Sequence, residues 1–255
     1  MLSKTRATLI APGICLIAAL SSQADNAQNR APVLLELFTS EGCSSCPPAD
    51  RLLEAFDKTQ PVADAGVIVL SEHVDYWDEG GWKDPYSSAG LTARQSDYGR
   101  RLHVEEVYTP QLIVDGQFEV VGSDAAAAKA AIARASRSAK AAVMLSVGPA
   151  TSNQIPVHLS IAPLAAVKKS ATVFVAIAES RAESSVLRGE NAGKALSHVA
   201  VVRSLVPVGT VSAGSLFTKD ISLAVPPGAS HPLRIVAFAQ DQASGHVLGA
   251  ARQDR

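Results

Sequence analysis

The spacing of apolar and polar residues changes twice along the chain, giving three textures. Ala7 to Leu20 is mostly apolar and shows no period. From residue 31 to about 140, apolar runs of strand length alternate with stretches of helical spacing. Val33-Leu34-Leu35-Glu36-Leu37-Phe38 and Val67-Ile68-Val69-Leu70 read as strands buried on both faces, because polar residues hardly interrupt them. Between them Leu52, Leu53 and Phe56 fall at helical spacing, and Leu91 to Leu102 reads as a further helix. Leu112-Ile113-Val114 and Phe118-Glu119-Val120-Val121 flank Asp115-Gly116, a pair suited to the positive φ of a hairpin turn. Ser123-Asp124 caps an Ala-rich helix reaching about Ser138.

Beyond residue 140 the helical period disappears. Strand candidates recur at Val143–Val147, Val157–Ile161, Thr172–Ala178, His198–Leu205, Phe217–Val225 and Leu233–Ala239, separated by Pro, Gly, Ser and Asn. This rhythm predicts an antiparallel sandwich of roughly seven strands, with a barrel as the alternative. The expected architecture is therefore an α/β domain over 31–140, carrying an inserted aromatic segment at 73–106, followed by an all-β, sandwich-like domain over 141–255.

The apolar start has its own meaning. Lys4 and Arg6 precede it, and Ser22-Gln23-Ala24 offers small residues at a cleavage point, so 1–24 reads as a secretory signal peptide. An uncleaved anchor is the alternative; lipidation at Cys15 is disfavoured by bulky Ile14 before it. Residues 25–30 form a polar, flexible lead-in. Cleavage removes two cations and no acid, taking the net charge from −1 to −3. The expected location is periplasmic or secreted, with no stable membrane insertion after cleavage. A charge so close to zero excludes a basic nucleic-acid binder.

Composition then isolates the chemistry. Of three cysteines, Cys15 leaves with the signal, so Cys43 and Cys46 remain. They lie in Phe38-Thr39-Ser40-Glu41-Gly42-Cys43-Ser44-Ser45-Cys46-Pro47, between the first strand and the first helix. A thiolate at a helix N-terminus is stabilised by unpaired N–H groups and the helix dipole. Cys43 is then the attacking residue and Cys46 the resolving one. Half of a zinc site and a structural disulfide are the alternatives, although no second cysteine pair exists to complete a zinc site. Val107-Tyr108-Thr109-Pro110-Gln111 enters the hairpin, and an X-Pro bond there is a candidate for cis geometry.

A CxxC on the first helix with Thr-Pro before a hairpin resembles the thioredoxin superfamily over about residues 31–140. The resemblance implies a thioredoxin-like fold, a redox pair at Cys43 and Cys46, and substrate contact at Thr109 and Pro110. Gly42 stands where thioredoxin has Trp, and Leu37 replaces its buried acid. The whole chain resembles a family of secreted bacterial thioredoxin-like proteins of unknown function. Leu35 to Asp50, His73-Val74-Asp75-Tyr76-Trp77, Gly81-Trp82-Lys83-Asp84-Pro85, and Gly189-Glu190-Asn191 with Leu196-Ser197-His198 carry that likeness.

Every Trp and Tyr lies between Tyr76 and Tyr108. Trp77 and Trp82, with Tyr76 and Tyr86, either form a lip gripping a partner beside Cys43 or pack the inserted segment onto the domain. His73 reads as a structural histidine with Asp75 as partner, or as a thiolate-tuning or metal group. The leading function is thiol–disulfide exchange with a protein or small thiol/disulfide partner, needing no cofactor. Two alternatives stay open: a binding or assembly protein with a static disulfide, and a copper-handling variant using Cys43, Cys46 and His73.

Overall fold

A computed structural model describes residues 30–151, 153–164, 170–229 and 232–255. The expected signal peptide lies outside the described residues, as does all of the lead-in except Arg30. Among the described residues, no helix is long and apolar enough to cross a membrane.

Strand β1 (Ala31–Thr39) pairs in parallel with β2 (Ala65–His73), Ala31 opposite Ala65 through to Thr39 opposite His73. Helix α1 (Pro47–Thr59) connects them, its first turn built on Pro47 and Pro48, whose missing N–H groups cost nothing at a helix start. A single 3-10 turn (Asp78–Gly80) and helix α2 (Ala89–Leu102) follow, the latter capped by the Ser88 side chain. The hairpin β3 (Gln111–Val114) and β4 (Phe118–Val121) turns at Asp115 (φ 58°) and Gly116 (φ 64°), and β3 runs antiparallel to β1. Asp124 caps α3 (Ala125–Ala135) by accepting from the backbone of Ala126 and Ala127.

The remaining strands are β5 (Val143–Val147), β6 (Gln154–Ile161), β7 (Ser170–Ser185), β8 (Ala195–Ser212), β9 (Phe217–Ala224), β10 (Leu233–Asp241) and β11 (Val247–Asp254). They do not form the separate sandwich expected from their rhythm. β7, β8, β10 and β11 continue the first sheet, giving the order β11-β10-β7-β8-β2-β1-β3-β4, while β5, β6 and β9 form a three-stranded sheet. The expectation of an α/β thioredoxin-like domain followed by an all-β sandwich-like domain is thus corrected to a mostly β protein built on one mixed eight-stranded sheet. The physical reason is β2. Its outer side does not end the sheet but meets β8 in parallel at Ser71 opposite Val201, which joins the strands of both halves.

One core follows from that continuity. Leu34, Leu53, Phe56 and Ile132 share it with Ala176, Val199, Val236 and Phe238. A second core joins the three-stranded sheet to β7, β10 and β11 through Ile155, Leu159, Val175 and Ile235. At the hairpin, a Cβ on Gly116 would stand 2.0 Å from the Gly245 carbonyl oxygen, so only glycine lets the two distant turns meet there.

Candidate functional site

Cys43 and Cys46 are joined in a disulfide whose Cα atoms are 5.4 Å apart, an ordinary bridging distance. Cys46 is the N-cap of α1, and its carbonyl receives the N–H groups of Ala49 (2.8 Å) and Asp50 (3.1 Å). Both cysteines are fully buried, whereas Ser44 and Ser45 between them are exposed. Ser45 Oγ stands 3.3 Å from Cys43 Sγ and donates to the Thr109 carbonyl at 3.4 Å. The Thr109–Pro110 peptide is cis, as its place before a strand predicts. A Cβ on Gly122 would meet Leu37, Ala49 and Pro110 within 3.1 Å, which shows how closely the proline is packed under the start of α1.

The aromatic segment reaches the same place. Trp77 Nε1 donates to Thr109 Oγ1 at 2.7 Å, and a Cβ on Gly42 would lie 3.2 Å from Trp77 Cβ. Trp82 Nε1 donates to the Glu41 carboxyl at 2.8 Å. Both indoles are half-buried and donate their ring N–H inside the protein. Tyr76 is more open, 41% exposed, while its hydroxyl donates to Gln95. Tyr86 stacks edge-on to His73 and His198.

Behind the disulfide lies a group of buried ionisable side chains drawn from both halves of the chain. His73 Nδ1 meets Asp84 at 2.7 Å, so its partner is Asp84 and not Asp75, which instead accepts from Thr92. Asp84 also accepts the Glu41 N–H at 2.8 Å. Burial would lower the His73 pKa, but Asp84, then Asp50 and Glu41, overrule it and raise it. Burial would raise the Asp84 pKa, yet His73 and two backbone N–H groups hold it below the ordinary value. His198, from β8, lies between Glu41 and Asp50 at 3.7 Å from each, and its ring centroid is 4.7 Å from that of His73. Neither nitrogen of His198, nor Nε2 of His73, has a hydrogen-bond partner. Asp50 Oδ1 accepts from Thr39 Oγ1 at 2.9 Å, one helical turn beyond Cys46. Among the described residues no three His, Cys, Asp or Glu side chains are arranged to hold a metal ion.

The turn after β7 clasps the CxxC from outside. Asn191 is buried and donates from Nδ2 to the carbonyls of Glu41 and Cys43, both at 2.8 Å. Lys194 holds its Oδ1 at 2.8 Å. Glu190 accepts the Ser44 N–H at 3.0 Å, and these contacts with Ser44 lower its pKa. Ser184 adds a hydrogen bond to Glu41.

The family described as "Protein of unknown function (DUF1223)" matches residues 34–240, most of the chain. The chain belongs to the DUF1223 family. A DUF1223 protein thus joins its CxxC turn to residues 184–198 within one matched unit. An X-ray structure of a protein from Agrobacterium tumefaciens is similar at TM-score 0.63 and 27% identity, covering 88% of this chain and 94% of that one. An alkylpurine DNA glycosylase from Pseudomonas fluorescens is similar only at TM-score 0.25 and 17% identity, over 46% of this chain and 30% of its own. No curated protein matches.

Sequence reasoning grouped Cys43, Cys46, Thr109, Pro110, Trp77 and Trp82; Trp77 bonds Thr109, which lies against Ser45 of the CxxC turn, while Trp82 reaches Glu41. It gave no role to Glu41, Asp50, Asp84, Ser184, Glu190, Asn191 or His198. Asp50 had a signal: it shares the buried face of α1 with Ala49, Leu53 and Phe56, where an acid is out of place. His198 had only its place in the Leu196-Ser197-His198 likeness, since nothing local marks a histidine in an apolar strand as the neighbour of the CxxC turn.

Proposed function

We propose that this protein is a thiol–disulfide oxidoreductase acting outside the cytoplasm, with Cys43 and Cys46 as its redox pair. The observation that carries the reading is the disulfide at the first turn of α1 with the Thr109 carbonyl beside it. Two exposed serines, a backbone carbonyl and a helix start make a place where a partner's chain can lie against the pair. Thr109, Pro110 and Trp77 form the wall on that side, with Trp82 holding Glu41 behind it. A secretory leader and a pair that exists as a disulfide both favour an oxidising compartment.

In the reduced state Cys43 thiolate attacks a partner disulfide, forming a mixed disulfide, and the partner's first sulfur leaves and takes a proton. Cys46 then loses its proton and attacks Cys43 Sγ. The mixed bond breaks, the pair is oxidised, and the partner's second sulfur leaves as a thiol. We assign the Cys46 proton to Asp50, one turn along α1, with His198 3.7 Å from its carboxyl. The test is stoichiometric exchange with a small disulfide. Wild type is expected to react and Cys43→Ser to be inactive, and equal rates would overturn the reading.

A second reading, a binding protein with a static disulfide, is favoured by the full burial of both sulfur-bearing side chains. A reduction potential below about −300 mV would select it.

A further inference from the structure

The redox reading leaves open which way electrons run. That direction depends on how well the surroundings tolerate a thiolate at Cys43: pairs with a stabilised thiolate are oxidants, those with a destabilised one are reductants. Three observations bear on it. The backbone N–H of Ser44, next to the attacking sulfur's own residue, does not point to solvent but is taken by the Glu190 carboxylate at 3.0 Å. Asn191 beside it grips the carbonyls of Glu41 and Cys43, so the carboxylate is held in place rather than sampling the surface. The Lys194 ammonium is directed to Asn191 Oδ1 at 2.8 Å and braces that grip.

We propose that Glu190 is a tuning residue that raises the energy of the Cys43 thiolate and so makes the pair an electron donor to its partner. This rests on the redox reading above. The contact does two things at once. It occupies the N–H of Ser44, the residue next to Cys43, and it places a negative charge on that turn. Both favour the disulfide over the dithiol, so the pair gives its two electrons and two protons to a partner disulfide. A dithiol donor then returns the pair to the reduced state. Glu190 acts through Ser44 and never touches the reacting atoms.

The experiment compares wild type with Glu190→Gln and, as a remote charge control, Asp220→Asn on the three-stranded sheet. After phosphine reduction, ionisation of Cys43 is followed by thiolate absorbance against pH. In parallel the pair is equilibrated with glutathione. Glu190→Gln is expected to ionise at lower pH and to shift the glutathione equilibrium about 3-fold toward the dithiol, a size set by an exposed, screened charge. Both differences should shrink in 1 M salt. Identical ionisation in a folded Glu190→Gln protein, or an equal shift in Asp220→Asn, overturns the proposal. The titration of reduced protein reads Glu190 whether or not glutathione reacts. A wild type that fails to exchange defeats the redox reading separately.

Discussion

Two buried clusters of ionisable side chains lie on opposite faces of β2, and they use different cations. Adjacent residues of a strand point to opposite faces, so Glu72 and His73 each belong to one cluster. On the Glu72 side the cation is Arg94. It meets Glu36 at 2.5 Å and Glu72 at 3.7 Å, and it is 5.0–5.3 Å from the ring centres of Tyr98, Phe174 and Phe238. Tyr98 donates to Glu36 and accepts from Arg94 and Gln240. On the His73 side the nearby guanidinium, Arg203 over the Tyr86 ring, pairs with Glu179 rather than with the acids around His73. Glu41, Asp50 and Asp84 face two imidazoles instead, and three imidazole nitrogens have no partner. An arginine is charged at any accessible pH, while an imidazole changes charge near neutrality. The first cluster is built to stay as it is. The second, behind the disulfide, can exchange protons.

The strongest way to break this contrast is Arg94→Met. It leaves Glu36 buried without its cation, and removing one partner of a buried pair costs about 3–5 kcal/mol. The urea midpoint should fall accordingly, while the Cys43–Cys46 equilibrium with glutathione stays at the wild-type value. A shifted equilibrium would join the two clusters into one functional unit.

Asp84→Asn probes the other side, with an expected loss of about 3 kcal/mol. Here the loss depends on pH. His73 has a raised folded pKa, so its stabilisation is complete below its unfolded value near 6.5 and disappears as pH rises through the folded one. Asp84 has a lowered folded pKa, so its share is present above about 3.9 and is lost as pH falls through the folded value. The gap between wild type and Asp84→Asn should therefore be widest between about pH 4 and 6.5. A gap of constant size from pH 4 to 9 would show a plain hydrogen bond and erase the distinction between the clusters.

The same contrast explains what the sequence disclosed. β1, α1, β2, the Asp115-Gly116 hairpin and α3 were readable because local spacing and caps decide them. β5 was readable to the residue. The joining of β8 to β2 was not, since an apolar strand looks the same whether its neighbour is a sandwich partner or a strand from the other half. The cysteine pair announced itself by spacing. Its buried surroundings did not, because Ser184, Glu190, Asn191 and His198 reach it only through that unforeseen junction. Leu37 stands where the resemblance has a buried acid, and the structure buries an acid at Asp50, four residues past Cys46.

Glu72→Gln should give the smallest effect near pH 5 and the sharpest test of the static cluster. Burial and then the neighbouring Glu36 raise the Glu72 pKa well above its ordinary value, against the pull of Arg94. An amide of the same shape then replaces a neutral acid, and stability at pH 5 should change by less than about 1 kcal/mol. The slope with pH is what differs. Above about pH 4.3 the unfolded chain releases the Glu72 proton while the folded protein keeps it, so folding takes up a proton and wild type weakens as pH rises. Glu72→Gln has no such proton, and it should overtake wild type steadily between pH 5 and the folded value. Parallel stability curves would mean that Glu72 is charged in the fold, that Arg94 carries two carboxylates, and that the arginine cluster is as ionic as the one behind the disulfide.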